Sequence, residues 1–396
     1  MGFNEYIGNE RIVAALRRML AADRIPHAML FTGPRGVGKF TLARMFAMAV
    51  NCERRGAHTQ GGLFGGGPAS AGEPLRDDFC GQCPTCEQNL KLANLQPLIE
   101  RGLEERGQKP DTATVERVPL ILQGHPDVWA IVPDPVRPKD PVARPVIRVG
   151  QLRAIQRAAY FRPTAARRVF IVDGVDTMTP QNSNLFLKVL EEPPESSTLI
   201  LLAPSPYVLL DTIQSRCLQF FFAPLPNEKV EAFLKERSEL KPAERKLAAQ
   251  LSGGSPGAAL GLDLAESARN RRDALRYIEQ AVNGKKFGEI FALTAQFAKD
   301  EKENFANLLG VLYSLFNDLL VLSLGPATSE LRNPDLKTEL QALSRQAELE
   351  WVTQAVAQLD EVQARVRRNV SRQLGLDALA ATLAQTAEPA GPARRP

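Results

Sequence analysis

Short apolar runs of strand length recur along the first part of the chain, at positions 28–32, 129–132, 169–172, 199–203 and 218–222. Between most of them, apolar residues return at helical spacing: Ile12, Val13, Leu16 and Leu20, then Leu42, Phe46, Ala49 and Val50, then Leu185, Leu187 and Leu190. Strands alternating with helices predict βαβ units and a parallel sheet covered on both faces. After about Pro226 the strand-like runs stop. The rest reads as helical, with a break at 253–256 that separates a small helical unit from a longer set. The expected architecture is an α/β P-loop domain, a small helical lid and a C-terminal all-α domain, and no internal repeat is visible.

Length agrees, since 396 residues at about 150 per domain gives two or three domains. Two stretches are too poor in apolar residues to pack and are expected as loops: the Gly-rich 54–78 and the Pro-rich 133–145. The tail, EPAGPARRP, is expected to be disordered. The most weakly charged stretch, 305–324, approaches membrane-span length but contains Asn307, Ser314, Asn317 and Asp318. It reads as a buried bundle helix. The N-terminus has acids and no apolar core of a signal peptide, which predicts a cytoplasmic chain without a membrane span. Lys plus Arg number 49 against 45 Asp plus Glu, a net +4 that is too weak to name a partner.

The segment Gly33-Pro-Arg-Gly-Val-Gly-Lys39 leaves a predicted strand and opens a predicted helix, the context that makes a phosphate-binding loop credible. Gly33, Gly36 and Gly38 let successive backbone N–H groups converge on phosphate, and Lys39 reaches the outer phosphates. The next residue should carry a hydroxyl for Mg²⁺ but is Phe40. Thr41 stands one residue late, about 100° around the helix. A second run, Val169-Phe-Ile-Val-Asp173, ends in an acid suited to hold Mg²⁺. In a working ATPase of the AAA+ type the next residue would be a Glu that activates water; here it is Gly174, with Asp176 the nearest substitute. Loss of hydroxyl and base costs about 10²-fold or more each. ATP binding is therefore expected without turnover.

Of five cysteines, Cys52, Cys80, Cys83 and Cys86 fall within 35 residues. That clustering is poor for a distributed disulfide framework and favours a metal in a reducing compartment. Four soft ligands at these spacings suit tetrahedral Zn²⁺ in a closed, structural site. An iron–sulfur cluster and unligated thiols remain open, although the run lacks the Pro-following fourth cysteine of bacterial ferredoxins. Cys217, distant in sequence, is expected as a small buried residue. His27, His58 and His125 have no nucleophile pattern around them, so hydrolase chemistry finds no support.

Taken in order, these motifs resemble the delta-prime subunits of the bacterial DNA polymerase III clamp loader, members of the AAA+ class. The matching stretches are IGNERIVAALRRMLAADRIPHAMLFTGPRGVGK, the NC and CGQCPTC cysteines, HPD at 125–127, VFIVDGVDTMTPQNSNLFLKVLEEPPESSTLILL and TIQSRC at 212–217. Residues 2–260 carry most of the likeness, and NVSRQLGLDALAATL from Asn369 is similar to the family's last collar helices. The resemblance implies an AAA+ domain at 1–225 with a zinc-binding insert near 52–86, a lid at 226–265, a collar at 266–386 and a disordered 387–396. It implies an arginine finger, Arg216, reaching ATP on a neighbouring subunit, where such a group is worth about 10³ to 10⁵ in rate. It further implies a non-hydrolysing stator in a hetero-pentameric ring with gamma/tau ATPase subunits and delta, acting on the sliding clamp and primer-template DNA. An active subunit would carry a phosphate-sensing Arg near Ala258, and none is present. The chain departs from the short members by additions at 54–78, 98–124 and 133–145.

Between 137 and 168 lie nine basic residues and one acid. Arg153 and Arg157, four apart on one helix face, are candidates for contact with DNA phosphates, and a solvated face is the competing account. No aromatic interleaving suggests base stacking. Two further functions stay open: an active AAA+ motor using Thr41 and Asp176, and a zinc-dependent nucleic-acid binding module.

Overall fold

The computed structural model describes residues 2–56, 76–107, 110–135, 145–192, 194–283, 287–299, 302–324, 331–346, 349–367 and 371–386. Most of the two expected loops and the whole expected tail therefore lie outside the described residues. Two compact units form, Met1–Phe233 with Gly254–Ala258, and Leu234–Gly253 with Ala259–Pro396. Residues of the 226–265 segment fall in both.

The first unit runs α1 (Glu10–Ala21), β1 (Ala28–Thr32), α2 (Lys39–Val50), α3 (Glu53–Gly56), α4 (Pro84–Leu90), α5 (Gln96–Glu104), α6 (Thr112–Arg117), β2 (Leu122–Gln123), β3 (Val128–Ile131), α7 (Val149–Ala159), β4 (Arg168–Asp173), α8 (Pro180–Glu191), β5 (Ser197–Ala203), α9 (Asp211–Gln214) and β6 (Leu218–Phe221). All five apolar runs are strands of one sheet in the order β2-β3-β4-β5-β1-β6. Every pairing is parallel except β2 with β3. Each residue of β1 and β5 is buried, because helices cover both faces of the sheet, and that is why these strands read as continuous apolar runs without alternation. Leu30, Phe170, Val172 and Leu201 pack there with Ile155 and Leu152 of α7 and Phe186 of α8. In-register ends of β1, β4 and β5, with Thr32 beside Ala203 and Asp173 beside Leu202, open one edge of the sheet. This is the carboxyl edge, where ligands of parallel α/β sheets bind.

The described residues of the 98–124 addition form most of α5, all of α6 and the edge strand β2. A buried ion-pair network fastens it. Arg106 Nη1 lies 2.8 Å from Asp134 Oδ2, Arg106 Nε donates to Val118 O at 2.7 Å, and Arg148 Nε approaches the same carboxylate oxygen at 3.4 Å.

Beyond β6, α10 (Asn227–Arg237) spans the boundary between the units, and α11 (Pro242–Leu251) and α12 (Pro256–Leu260) follow. The second unit's bundle consists of α13 (Leu264–Asn283), α14 (Phe287–Lys299), α15 (Lys302–Ser323), α16 (Lys337–Ser344), α17 (Leu349–Arg367) and α18 (Arg372–Thr386). Its core includes Tyr277, Leu312, Phe316, Trp351, Leu359 and Leu376. The stretch of near-membrane length is α15, packed inside this bundle. Its Asp318 is fully buried and accepts the backbone N–H groups of Arg332 and Asn333 at 2.9 and 2.8 Å. No helix among the described residues is long and apolar enough to cross a membrane.

Candidate nucleotide cleft and metal centre

The phosphate loop forms between β1 and α2, with Gly38 in the left-handed region as the residue that caps α2. Gly33 and Gly36 are also at positive φ, 143° and 75°. A Cβ at Gly33 would stand 2.4 Å from the Phe222 carbonyl oxygen, and one at Gly36 would stand 2.7 Å from the Ala258 nitrogen. Gly257 N donates to Gly36 O at 2.9 Å, and Tyr6 Oη donates to Val37 O at 3.4 Å. Lys39 turns into its own loop, where Nζ donates to Gly33 O at 2.5 Å and Pro34 O at 2.7 Å. Burial depresses the Lys39 pKa, partly opposed by Asp173. Burial likewise raises the Asp173 carboxyl against the pull of Lys39.

A cleft of about 470 Å³ lies over this loop, and its walls include Arg35, Lys39, Phe40, Thr41, Asp173 and Asp176. Phe40 brings a ring and no hydroxyl to the position after Lys39. Thr41 also lines the cleft despite its later position, as does Asp176. Gly174, in the left-handed region, packs under Pro133, which a Cβ would meet at 2.8 Å.

Four cysteines converge, Cys52 just beyond α2, Cys80 and Cys83 ahead of α4 and Cys86 within it, their sulfurs all within 4.8 Å of one another. Tetrahedral Zn²⁺ at about 2.3 Å from each sulfur needs S···S separations of about 3.8 Å. Cys80 and Cys86 sulfurs are 4.0 Å apart, so the donor set fits. Backbone N–H groups point at the sulfurs, from Cys80 to Cys52 at 3.4 Å and from Cys83 to Cys80 at 3.3 Å. The Cys86 thiol, donating to Cys52, holds that sulfur down to about 5, while Cys86 itself is driven strongly upward. Glu53 ties the site to α4 by accepting from Thr85 N and Oγ1 at 3.2 and 2.8 Å. Cys217 stands apart and is half-buried against the sheet core, less enclosed than expected, with burial pushing its thiol up to about 12.

Arg216 follows α9 at the entrance to β6. Its Nη2 lies 2.9 Å from Glu191 Oε1 and its Nη1 donates to Thr212 O at 2.8 Å. Glu191 was visible in the sequence only as part of the LEEPP run. Nothing in spacing pairs α8 with α9.

Arg153 and Arg157 are exposed on α7, as expected, and border a groove of about 480 Å³ with Glu116, Arg117, Gly150 and Gln156. Arg117 comes from the 98–124 addition and so could not be placed by sequence. Three of the arginines around them are engaged within the fold. Arg148 meets Asp134 and Glu116, Arg168 meets Asp127 at 2.7 Å, and Arg167 donates to Thr198 Oγ1 and Ser197 O.

Two family models match the chain, "DNA polymerase III, delta subunit" over residues 8–62 and 70–226, and "DNA polymerase III, delta subunit, C terminal" over 267–383. The Bacillus subtilis DNA polymerase III subunit delta' is 25% identical over 368 residues, covering 92% of each chain. This chain belongs to the delta-prime family of DNA polymerase III clamp-loader subunits. The gamma subunit of Buchnera aphidicola is 30% identical over 234 residues, 59% of this chain and 48% of that one, and Escherichia coli tau is 27% identical over 66% of this chain and 32% of its own length. The chain thus spans half or less of these gamma and tau relatives. Among solved structures, a gamma subunit-related protein of Thermotoga maritima gives 15% identity and a TM-score of 0.35, covering 95% of this chain and 99% of that one. The RuvB branch migration motor of the same organism gives 14% and 0.37, covering 86% of each.

Proposed function

We propose that this chain is a non-hydrolysing stator of the DNA polymerase III clamp loader in the cytoplasm. It holds the pentameric ring together with gamma/tau and delta, and supplies Arg216 to the ATP site of a neighbouring gamma/tau subunit during loading of the sliding clamp onto primer-template DNA. The observation that carries this is the make-up of the cleft. Phe40 and Gly174 stand where the metal-binding hydroxyl and the catalytic carboxylate belong, so the loop can hold ATP through Lys39 and Asp173 without turning it over. Loss of either group costs about 10²-fold or more. The isolated chain should hydrolyse ATP at a background rate, and Arg216→Ala should remove the turnover it adds to gamma/tau. Brisk hydrolysis by the isolated chain would refute the stator.

The four cysteines hold a structural Zn²⁺ in this account. With every ligand from protein, no position is open for water, and the ion fastens the end of α2 to α4. Arg153 and Arg157, with Arg117 across the groove, contact DNA phosphates. One observation favours a second function, an active ATPase, because Thr41 and Asp176 both line the cleft. Its signature would be ATP turnover by the lone chain that Lys39→Ala abolishes.

A further inference from the structure

A finger acts only if its guanidinium is held where the neighbour's phosphate arrives. On this chain α9 is a single helical turn, and α8 ends at Glu191. The Arg216 fork is docked on both: Nη1 on the Thr212 carbonyl at 2.8 Å and Nη2 on Glu191 Oε1 at 2.9 Å. Glu191 is in turn set by its surroundings. The following residue, Glu192, closes α8 by donating its N–H to Lys188 O at 3.2 Å, and its carbonyl accepts from Tyr160 Oη, at the end of α7, at 3.3 Å.

The pair is a weak stabiliser, since the side chains are 35% and 47% exposed and half-exposed ion pairs contribute little to folding. What it does change is the freedom of the arginine. A long side chain with many rotamers loses less on engaging a phosphate when its planar fork is already fixed. Of five guanidinium N–H groups, the two contacts use two. Nε–H and one hydrogen on each terminal nitrogen stay available, enough for a two-pronged grip on phosphate oxygens.

We propose that Glu191 is the positioning residue of Arg216, holding the guanidinium in register for a phosphate presented by an adjacent subunit. The proposal rests on Arg216 acting as a finger. It predicts a specific pattern in the ATP turnover that the full-length chain adds to its gamma/tau partner. Arg216→Ala should remove the added turnover. Glu191→Ala should lower its kcat on the order of tenfold, short of the roughly 10²-fold that a 1 Å misplacement can cost, with KM for ATP and co-elution with gamma/tau unchanged. Glu191→Gln keeps an oxygen to accept from Nη2 and should recover to within about twofold of the parent. In single-turnover measurements on the Arg216→Ala background, adding Glu191→Ala should change nothing.

The outcomes separate the two ideas. If Arg216→Ala leaves the added turnover intact, the finger is wrong. If Arg216→Ala removes it while Glu191→Ala leaves it unchanged or raises it, the finger stands and the positioning role falls. A further drop from Glu191→Ala in the Arg216→Ala background would mark a merely structural residue and also overturn the proposal.

Discussion

Truncating Asp127 to alanine offers a quantitative check on how the amino edge of the sheet is held. This carboxylate is fully buried at the start of β3. Its Oδ2 accepts from Thr164 N at 2.7 Å, Thr164 Oγ1 at 2.5 Å and Ala165 N at 2.8 Å. Its Oδ1 accepts from Arg168 Nε at 3.1 Å and Nη2 at 2.7 Å. One side chain thus fixes the turn before β4 and neutralises the arginine that begins that strand. Asp127→Ala leaves a largely buried Arg168 charge without its partner, a loss of about 3 to 5 kcal/mol when one member of a buried pair is removed. The orphaned N–H groups of Thr164 and Ala165 add about 1 to 3 kcal/mol each where water cannot reach them. Water entering the space left by the carboxylate offsets part of this, so a net loss of about 4 kcal/mol is expected.

Urea denaturation followed by Trp129 fluorescence reads the right unit, because that indole stacks edge-on against Phe170 of β4 at 5.5 Å. A Trp351→Phe background removes the second indole. Burial pushes the Asp127 carboxyl up, but hydrogen bonds from Thr164, Ala165 and Arg168 outweigh it and hold the group below the usual carboxylate range. A depressed folded pKa means the stabilisation is fully present above the unfolded value of about 3.9 and is lost as pH falls through the lower folded value. The gap between parent and Asp127→Ala should therefore be constant from pH 5 to 7 and narrow below about pH 4. A loss under about 1 kcal/mol at pH 7, or a gap that does not narrow in acid, would refute the reasoning.

Other consequences are equally open to measurement. Purified under reducing conditions, the chain should carry close to one zinc, and chelation should lower the transition of the first unit. Releasing the closure between Cys52 and Cys80, 28 positions apart, alone costs about 3 to 4 kcal/mol; iron with visible absorbance in place of zinc would exclude the assignment. Charge reversal of Arg153 and Arg157 should flatten the slope of log affinity against log salt for primer-template DNA by about 2 in the assembled loader, and an unchanged slope would leave these arginines as a solvated face. Gly36→Ala, forced to a φ of 75° with its Cβ 2.7 Å from Ala258 N, should destabilise by about 1 to 2 kcal/mol or more, as read by urea denaturation without nucleotide.

What was legible in the sequence followed from period and spacing. Strands buried on both faces appear as uninterrupted apolar runs, so β1, β3, β4 and β5 could be found from Ala28, Trp129, Val169 and Leu199 onward, whereas β6, an edge strand with Leu218 and Phe221 exposed, was legible only because its exposed positions are apolar as well. The cysteines could be grouped because soft ligands recur at loop spacing. β2 was not legible: two residues, Leu122 buried and Gln123 exposed, carry no period, and its pairing depends on β3. The ordering of the 98–124 addition was missed for a related reason. Its anchor is Arg106 on Asp134, a contact across 28 positions that has no local signature. Charge misled in the same way, since the basic run before β4 gives no sign that Arg148 and Arg168 are paired with acids brought from β3 and its flanks.

The phosphate-loop glycines show how a nucleotide motif and a nucleotide-processing site come apart. Gly33 meets the Phe222 backbone after β6, and Gly36 meets the backbone of Gly257 and Ala258. Both contacts lie within the chain and exclude a Cβ with no phosphate involved. The left-handed backbone at Gly36 adds a second reason for glycine that is equally independent of ligand. Lys39 is likewise satisfied by the carbonyls of Gly33 and Pro34. Folding therefore requires the glycine pattern whether or not ATP is hydrolysed, whereas nothing in the packing requires a hydroxyl at Phe40 or a carboxylate at Gly174. A loop built this way keeps its glycines whatever stands at the two neighbouring positions. Motif glycines thus report the fold, and on the proposed stator reading it is the residues after Lys39 and Asp173 that bear on turnover.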